Sequence, residues 1–219
     1  MSNFLTLCSA RFVQAPARSP VTEHLPVGCT ALISGTDADY PESGLPQRRK
    51  AQRHWLAVWR AEEDADRFMS SPSSFLPELA AAQQIAALKL LPYMQRGADV
   101  LPVAFHRVRP PPDRPVAIIT SIGPYESESD AVAAGQRACF ARQSLTEAAG
   151  LTRELLVIPF PPAATDLFTV TTWQNEPAAQ TWAYRGARHR DAMTFYNDTQ
   201  EKARVSFTRC LIAGSMGDW

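Results

Sequence analysis

From Pro115 onward the chain switches between compact apolar runs and longer amphipathic stretches, and each switch marks an element. PVAIITSI (Pro115–Ile122) is a nearly continuous apolar run rich in β-branched residues, the pattern of a buried strand. Ser127 followed three residues later by Asp130 is a helix-start signature. Apolar positions at Val132, Cys139, Phe140 and Leu145 carry that helix to a stop at Gly150. Two more strands are predicted over Glu154–Pro159 and Leu167–Trp173. A helical region from Glu176 to Lys202, interrupted near Gly186, and a strand over Arg204–Ile212 complete the half. The order is β-α-β-β-α-β, the split βαβ or ferredoxin-like unit.

The first half fits the same template more loosely. Phe4–Phe12 and Thr30–Ser34 read as strands, with a proline-rich stretch, Pro16–Pro26, where the first helix is expected. A loop carrying RRKAQR (Arg48–Arg53) precedes the strand His54–Trp59, after which the sequence turns acidic and helical for roughly a dozen residues. Placing Trp59 on Trp173 brings the two halves into register without gaps: Phe68 falls on Trp182, Pro72 on Gly186 and Phe75 on His189. Each half also ends in a strand-like stretch and a glycine-bearing tail, LLPYMQRGAD and CLIAGSMGDW. Between them RPPPDRP (Arg109–Pro115) can be neither helix nor central strand, because consecutive prolines fix φ and remove donors. The expected organisation is a first ferredoxin-like half at 1–108, a linker at 109–115 and a second half at 116–219. The fold class is α+β: tandem βαββαβ repeats forming a dimeric α+β barrel within one chain. The sheet faces of such a barrel are expected to enclose a ligand cavity.

Composition narrows the function classes. With 22 Lys and Arg against 22 Asp and Glu, nothing suggests a general affinity for nucleic acid or an anionic membrane. No apolar run approaches the roughly 18 residues of a membrane span, and the N-terminus lacks a signal-peptide core, so a cytoplasmic location is expected. Four cysteines lie far apart with no CxxC, which argues against zinc, redox-motif and disulfide-framework chemistry. Residues Gly35–Tyr40, GTDADY, lack the central glycine and later glutamate of a calcium loop.

Three stretches carry a resemblance to a known family: LKLLPYMQRGADVLPVAF (Leu88–Phe105), PVAIITSI, and TVTTWQNEPAAQTWAYRGARHRDAM running on to GSMGDW. They resemble the spheroidene monooxygenase-like (carotenoid ketolase) family of the antibiotic-biosynthesis-monooxygenase superfamily, over most of residues 55–219. The first fifty residues show no counterpart of that family's glycine-rich segment. The resemblance implies an oxidative enzyme on a dimeric α+β barrel. Relatives include heme-binding oxygenases, in which a helix histidine facing the cavity is the axial iron ligand, and cofactor-free monooxygenases.

On that basis His189 is the candidate ligand of a heme b iron. An ordinary histidine between two arginines, here Arg188 and Arg190, is solvated or part of a helix cap. Two features set His189 apart: the repeat puts Phe75 at the matching position, and the resemblance places a ligand there. Arg185, Arg188 and Arg190 are candidate partners for heme propionates, since a guanidinium fork suits a carboxylate; a solvated basic helix face accounts for them as well. Trp182 and Tyr184 are candidate cofactor-binding residues, Tyr184 either pointing its hydroxyl into the cavity or lying on the helix face. The repeat-equivalent pairs Trp59 with Trp173 and Phe68 with Trp182 read as core. Arg96 either contacts a ligand carboxylate or is a solvated arginine at a turn. His54 reads as a surface residue, His106 borders the linker and His24 lies in the irregular N-terminal stretch. Cys139 and Cys210 read as core filler.

Three functions stay open from sequence. The first is a heme-dependent oxygenase or related oxidative enzyme using dioxygen or peroxide on an apolar small molecule in specialised-metabolite or pigment biosynthesis. The second is a cofactor-free monooxygenase or cyclase, and the third a non-catalytic barrel that binds a small ligand. A homodimer is also expected, because edge strands invite pairing.

Overall fold

Side chains that alternate between the two faces of eight strands sort the protein's apolar residues into separate layers. The computed structural model describes residues 3–13, 25–39, 47–97, 101–106, 110–160, 166–198 and 205–219. The strands are β1 (Phe4–Arg11), β2 (Cys29–Asp39), β3 (Gln47–Trp59), β4 (Gln84–Gly97), β5 (Val116–Ile122), β6 (Leu151–Pro159), β7 (Leu167–Trp173) and β8 (Val205–Met216). Helix α1 (Glu62–Ser70) precedes β4; α2 (Glu128–Gln143) joins β5 to β6; α3 (Glu176–Arg185) and α4 (Ala187–Asp198) lie between β7 and β8. The fold is α+β, an eight-stranded antiparallel barrel in the order β1-β3-β2-β6-β7-β5-β8-β4. It closes through the β1–β4 pairing, from Leu5 opposite Leu90 to Arg11 opposite Gln84.

Within each half the strands follow one order: β4-β1-β3-β2 in the first and β8-β5-β7-β6 in the second. The halves meet along the long β4–β8 pairing and the short β2–β6 pairing around Thr36 and Ile158. The expected helix between β1 and β2 falls largely on residues 14–24, outside the described residues. The closed order leaves no free edge among the described strands, so the edge-pairing reason for a homodimer lacks a strand to rest on.

Two expectations are corrected along β2 and β3. RRKAQR is strand, not loop, and β2 runs on through GTDAD instead of stopping at Ser34. The reason is cross-strand charge. Arg49 lies opposite Asp37 across the ladder and pairs with Asp39, so a polar segment is held in the sheet by opposite-charge neighbours. His54 is a further correction. It is fully buried, not a surface residue, with Nδ1 2.8 Å from Ser9 Oγ. Being flanked by basic residues gave it a surface look, but its strand carries it into the barrel wall. In the acidic segment the helix is nine residues, shorter than expected, and gives way at Ser71–Pro72 to 3₁₀ turns at Pro72–Ser74 and Pro77–Ala81.

The barrel interior is filled. Leu5, Leu7, Leu56, Val58, Leu88, Leu90, Ile119, Leu155, Val157, Phe168 and Val170 form one cluster, with Ala31 and Ile33 of β2 packed against it. These buried side chains occupy the space between the sheet faces where a cavity was expected. An eight-stranded barrel is just wide enough for its own large side chains. Outside the first half, a second layer joins β1 and β3 to α1 through Trp55, Trp59, Phe68, Leu76 and Leu79. The outer face of the second half is covered more sparsely, by Ala134, Ala141, Ala192 and Ala179 on α2, α4 and α3.

Candidate functional site

Small helix residues over an apolar sheet leave space. Between the outer face of β5–β8 and the three second-half helices lies a cavity of about 720 Å³. That volume is within the usual range for small-molecule sites, roughly 300–1,000 Å³. Its floor is the outward set of strand side chains: Ile118, Thr120 and Ile122 on β5, Thr169 and Thr171 on β7, Glu154 and Leu156 on β6, Phe207 and Arg209 on β8. Their neighbours Ile119, Phe168, Val170 and Leu155 face the filled interior. Ala138, Ala141 and Arg142 of α2, Trp182–Tyr184 of α3 and His189, Ala192 and Met193 of α4 form the roof. The first half contributes the end of β4, Met94, Arg96 and Gly97.

Local chemistry sets each helix. Asn175 caps α3 by accepting from the Ala178 N–H at 2.9 Å, with a proline in the first turn. Ser127 does the same for α2, accepting from the Asp130 N–H at 3.1 Å. At Gly186 the backbone turns extended (φ −69°, ψ 116°) and ends α3. A side chain there would meet the Trp182 carbonyl, so glycine suits the tight exit. This break folds α4 back, and His189 donates from Nδ1 to the Ala183 carbonyl at 2.8 Å, across the junction. That hydrogen bond uses one ring nitrogen. Nε2 has no hydrogen-bond partner among the described residues, and the residue lines the cavity. Burial pushes the imidazole below its ordinary value, and the Ala183 carbonyl opposes the shift without cancelling it. His189 is therefore a neutral, oriented base at neutral pH. Its ring stacks on Trp182, centroids 4.1 Å apart, and Trp182 is held by its Nε1–H donating to Ser144 Oγ at 3.0 Å.

Polar groups in the cavity are ion-paired in two places. Arg142 meets Glu154 at 2.7 Å, and burial pushes the Glu154 carboxyl up while the guanidinium pulls it down. Arg209 meets Glu176 at 2.8 Å and its other nitrogen donates to the Tyr184 hydroxyl at 3.2 Å, tying β8 to both ends of α3. Sequence reasoning missed Arg142, Glu154 and Arg209. Charged residues inside otherwise apolar strands were the available signal for Glu154 and Arg209; Arg142, in the last turn of α2, carries no sequence signal that sets it apart.

Of the candidates named from sequence, His189, Trp182 and Tyr184 come together at the cavity, Tyr184 at its exposed edge. Arg185 and Arg188 are exposed and do not line it; Arg188 lies over the Phe140 ring and donates to Gln143 Oε1 at 3.3 Å. Arg190 is likewise exposed. His106 holds the Asn3 carbonyl through Nε2, and His24 lies outside the described residues. Among the described residues no three His, Cys, Asp or Glu side chains gather as a multi-ligand metal site, and no helix is long and apolar enough to cross a membrane.

No family model and no curated protein matches the chain. Solved structures do. An aldoxime dehydratase crystallised with butyraldoxime superposes with a TM-score of 0.58 at 11% identity, over 96% of this chain and 80% of that one. A second aldoxime dehydratase structure gives 0.55 at 12% identity, over 96% and 82%. A protein from Lactobacillus acidophilus NCFM described as a monooxygenase aligns over the full length of both chains at 11% identity, but with a TM-score of 0.38, too loose to carry an argument. The chain shares the fold of the aldoxime dehydratases.

Proposed function

We propose that this protein binds heme b through His189 and acts as a heme-dependent oxygenase or related oxidative enzyme on an apolar small molecule, as in specialised-metabolite or pigment biosynthesis. The observation that carries this is the state of one imidazole: neutral, fixed by Nδ1–H to a backbone carbonyl, and with Nε2 left for a ligand at a wide cavity. That is how a metal-binding histidine is prepared, because the hydrogen bond fixes the tautomer and raises ligand basicity. The residues therefore fit the group. The chemistry heme supplies, once bound, is activation of dioxygen or peroxide.

The chain's own part is orientation, dryness and charge. Trp182 and Gly186 set the angle of the His189 ring. Ile118, Ile122, Leu145, Leu156 and Val205 give the cavity an apolar lining that suits a hydrocarbon-like substrate and excludes water. The Arg142–Glu154 pair places a charged pole on that lining, where a polar end of the substrate is held. The shared strand order of the two halves, with the repeat centred on Trp59 and Trp173, supports tandem ferredoxin-like units at 1–108 and 116–219.

Full-length protein produced with adequate heme is expected to show a Soret band. His189→Ala is expected to lose it, with added imidazole restoring it and circular dichroism unchanged. A wild-type protein that gives no Soret band after reconstitution with hemin refutes heme binding.

A further inference from the structure

The cavity lining carries more positive than negative charge. Arg96, Arg142 and Arg209 face it against a single carboxylate, Glu154, with Glu176 just behind Arg209. Two of the three guanidiniums are committed: Arg142 to Glu154 at 2.7 Å and Arg209 to Glu176 at 2.8 Å. Arg96 has no ion pair or hydrogen bond among the described residues. An arginine without a protein partner is ordinarily a solvated surface residue. Arg96 is exposed, as Arg185 and Arg188 are, but it belongs to the lining of the cavity and they do not.

The backbone fixes that position. Arg96 lies opposite Phe207 on β8, whose ring lines the cavity, and Met94, two residues earlier on the same face of β4, lines it too. Gly97 comes next at φ +90°, and any side chain there would collide with the Val205 carbonyl. The end of β4 is thus pressed against β8 in a conformation that favours glycine, and Arg96 is delivered to the rim where the apolar lining meets solvent.

We propose that Arg96 is an anion-binding subsite that receives a carboxylate on the edge of the cavity's occupant. Resting on the proposed function, the carboxylate is a heme propionate, and the occupant lies with its apolar body over β5–β7 and its acidic edge at β4. A guanidinium fork suits a carboxylate and remains charged at any working pH, whereas Arg142 and Arg209 would have to give up existing partners. This assigns the propionate contact to the first half of the chain, so each half supplies one part of the site: the anion contact from β4, the imidazole from α4.

The test is a titration of heme-free, full-length protein with hemin and with hemin dimethyl ester, whose propionates are uncharged. Arg96→Gln is expected to weaken hemin about tenfold, the effect of losing one partly exposed charge-assisted contact. It is expected to leave the affinity for the ester and the Soret position unchanged, with Arg96→Lys in between. Equal loss for hemin and the ester makes Arg96 merely structural and overturns the subsite. Unchanged hemin affinity in Arg96→Gln, with wild type giving a His189-dependent band, overturns the subsite while heme binding stands. Wild type that binds neither hemin nor the ester refutes both.

Discussion

The outer layers of the two halves lie on sheets of the same strand order and are filled differently. Over the first sheet, Trp59, Phe68 and Phe75 meet at tilted and edge-on angles with centroids 5.4 to 5.8 Å apart and pack with Leu76 and Leu79 in one cluster. Over the second, the equivalent trio is Trp173, Trp182 and His189, at 5.6 and 4.1 Å. Even the bridging charges correspond: Lys89 of β4 reaches Glu62 in the first turn of α1 at 2.7 Å, as Arg209 of β8 reaches Glu176 in the first turn of α3. The two layers diverge in the segments adjoining each trio. Below Phe75 the chain packs large aliphatic residues in 3₁₀ turns, whereas after Gly186 it continues as α4, presenting Ala192 and Met193 beside the alanines of α2. One layer is core and the other is a vessel. The comparison teaches that small residues on the covering helices leave a cavity where large aliphatic ones on the other side build a packed layer.

The comparison is broken most directly at its one chemical asymmetry. His189→Phe makes the second trio like the first, and the hemin Soret band is expected to vanish entirely; Phe75→His in that background is expected not to restore it, since Phe75 is not among the residues that line the cavity. Absorption spectra of the two variants decide this. Next in size, truncation costs are expected to differ between the layers. Phe68→Ala leaves a hole in a closed core and is expected to lose about 3–5 kcal/mol in urea unfolding. Trp182→Ala, on a residue that already borders open space, is expected to cost about 1–2 kcal/mol.

A smaller effect concerns pH. The His189 pKa is held below the ordinary 6.5 in the folded protein by burial. Above that value the ring is neutral in both folded and unfolded chains. As pH falls below it, the unfolded chain takes up the proton first, so stability declines with falling pH. Hemin affinity is therefore expected to be flat from pH 8 to about 6.5 and to fall only below that, as followed by spectrophotometric titration. Affinity already halved at pH 6.5 would mean that the imidazole titrates as it does in water. Smallest of all, Arg188→Ala is expected to change stability by less than about 0.5 kcal/mol and hemin affinity not at all, because Arg188 is exposed and does not line the cavity.

Much of the scaffold was legible in the sequence for a physical reason. The second-half strands and the interrupted helix near Gly186 came from hydrophobic period and from cap and stop residues, which are local signals. The equivalence of Phe75 and His189 came from a gapless repeat. What was missed depends on partners distant in the chain. RRKAQR is strand because Asp37 and Asp39 lie across from it, and His54 is buried because Ser9 lies beside it.

Sequence alone determined the strands and helices of the second half and the position of the imidazole on its broken helix, because period, caps and residue identity are carried within a few neighbours. Tertiary structure decided where the empty space lies. Closure of eight strands packs the barrel interior solid and moves the cavity to the outer, helix-covered face of the second half. The sum of side-chain volumes between two packed layers has no signature in any single stretch of chain.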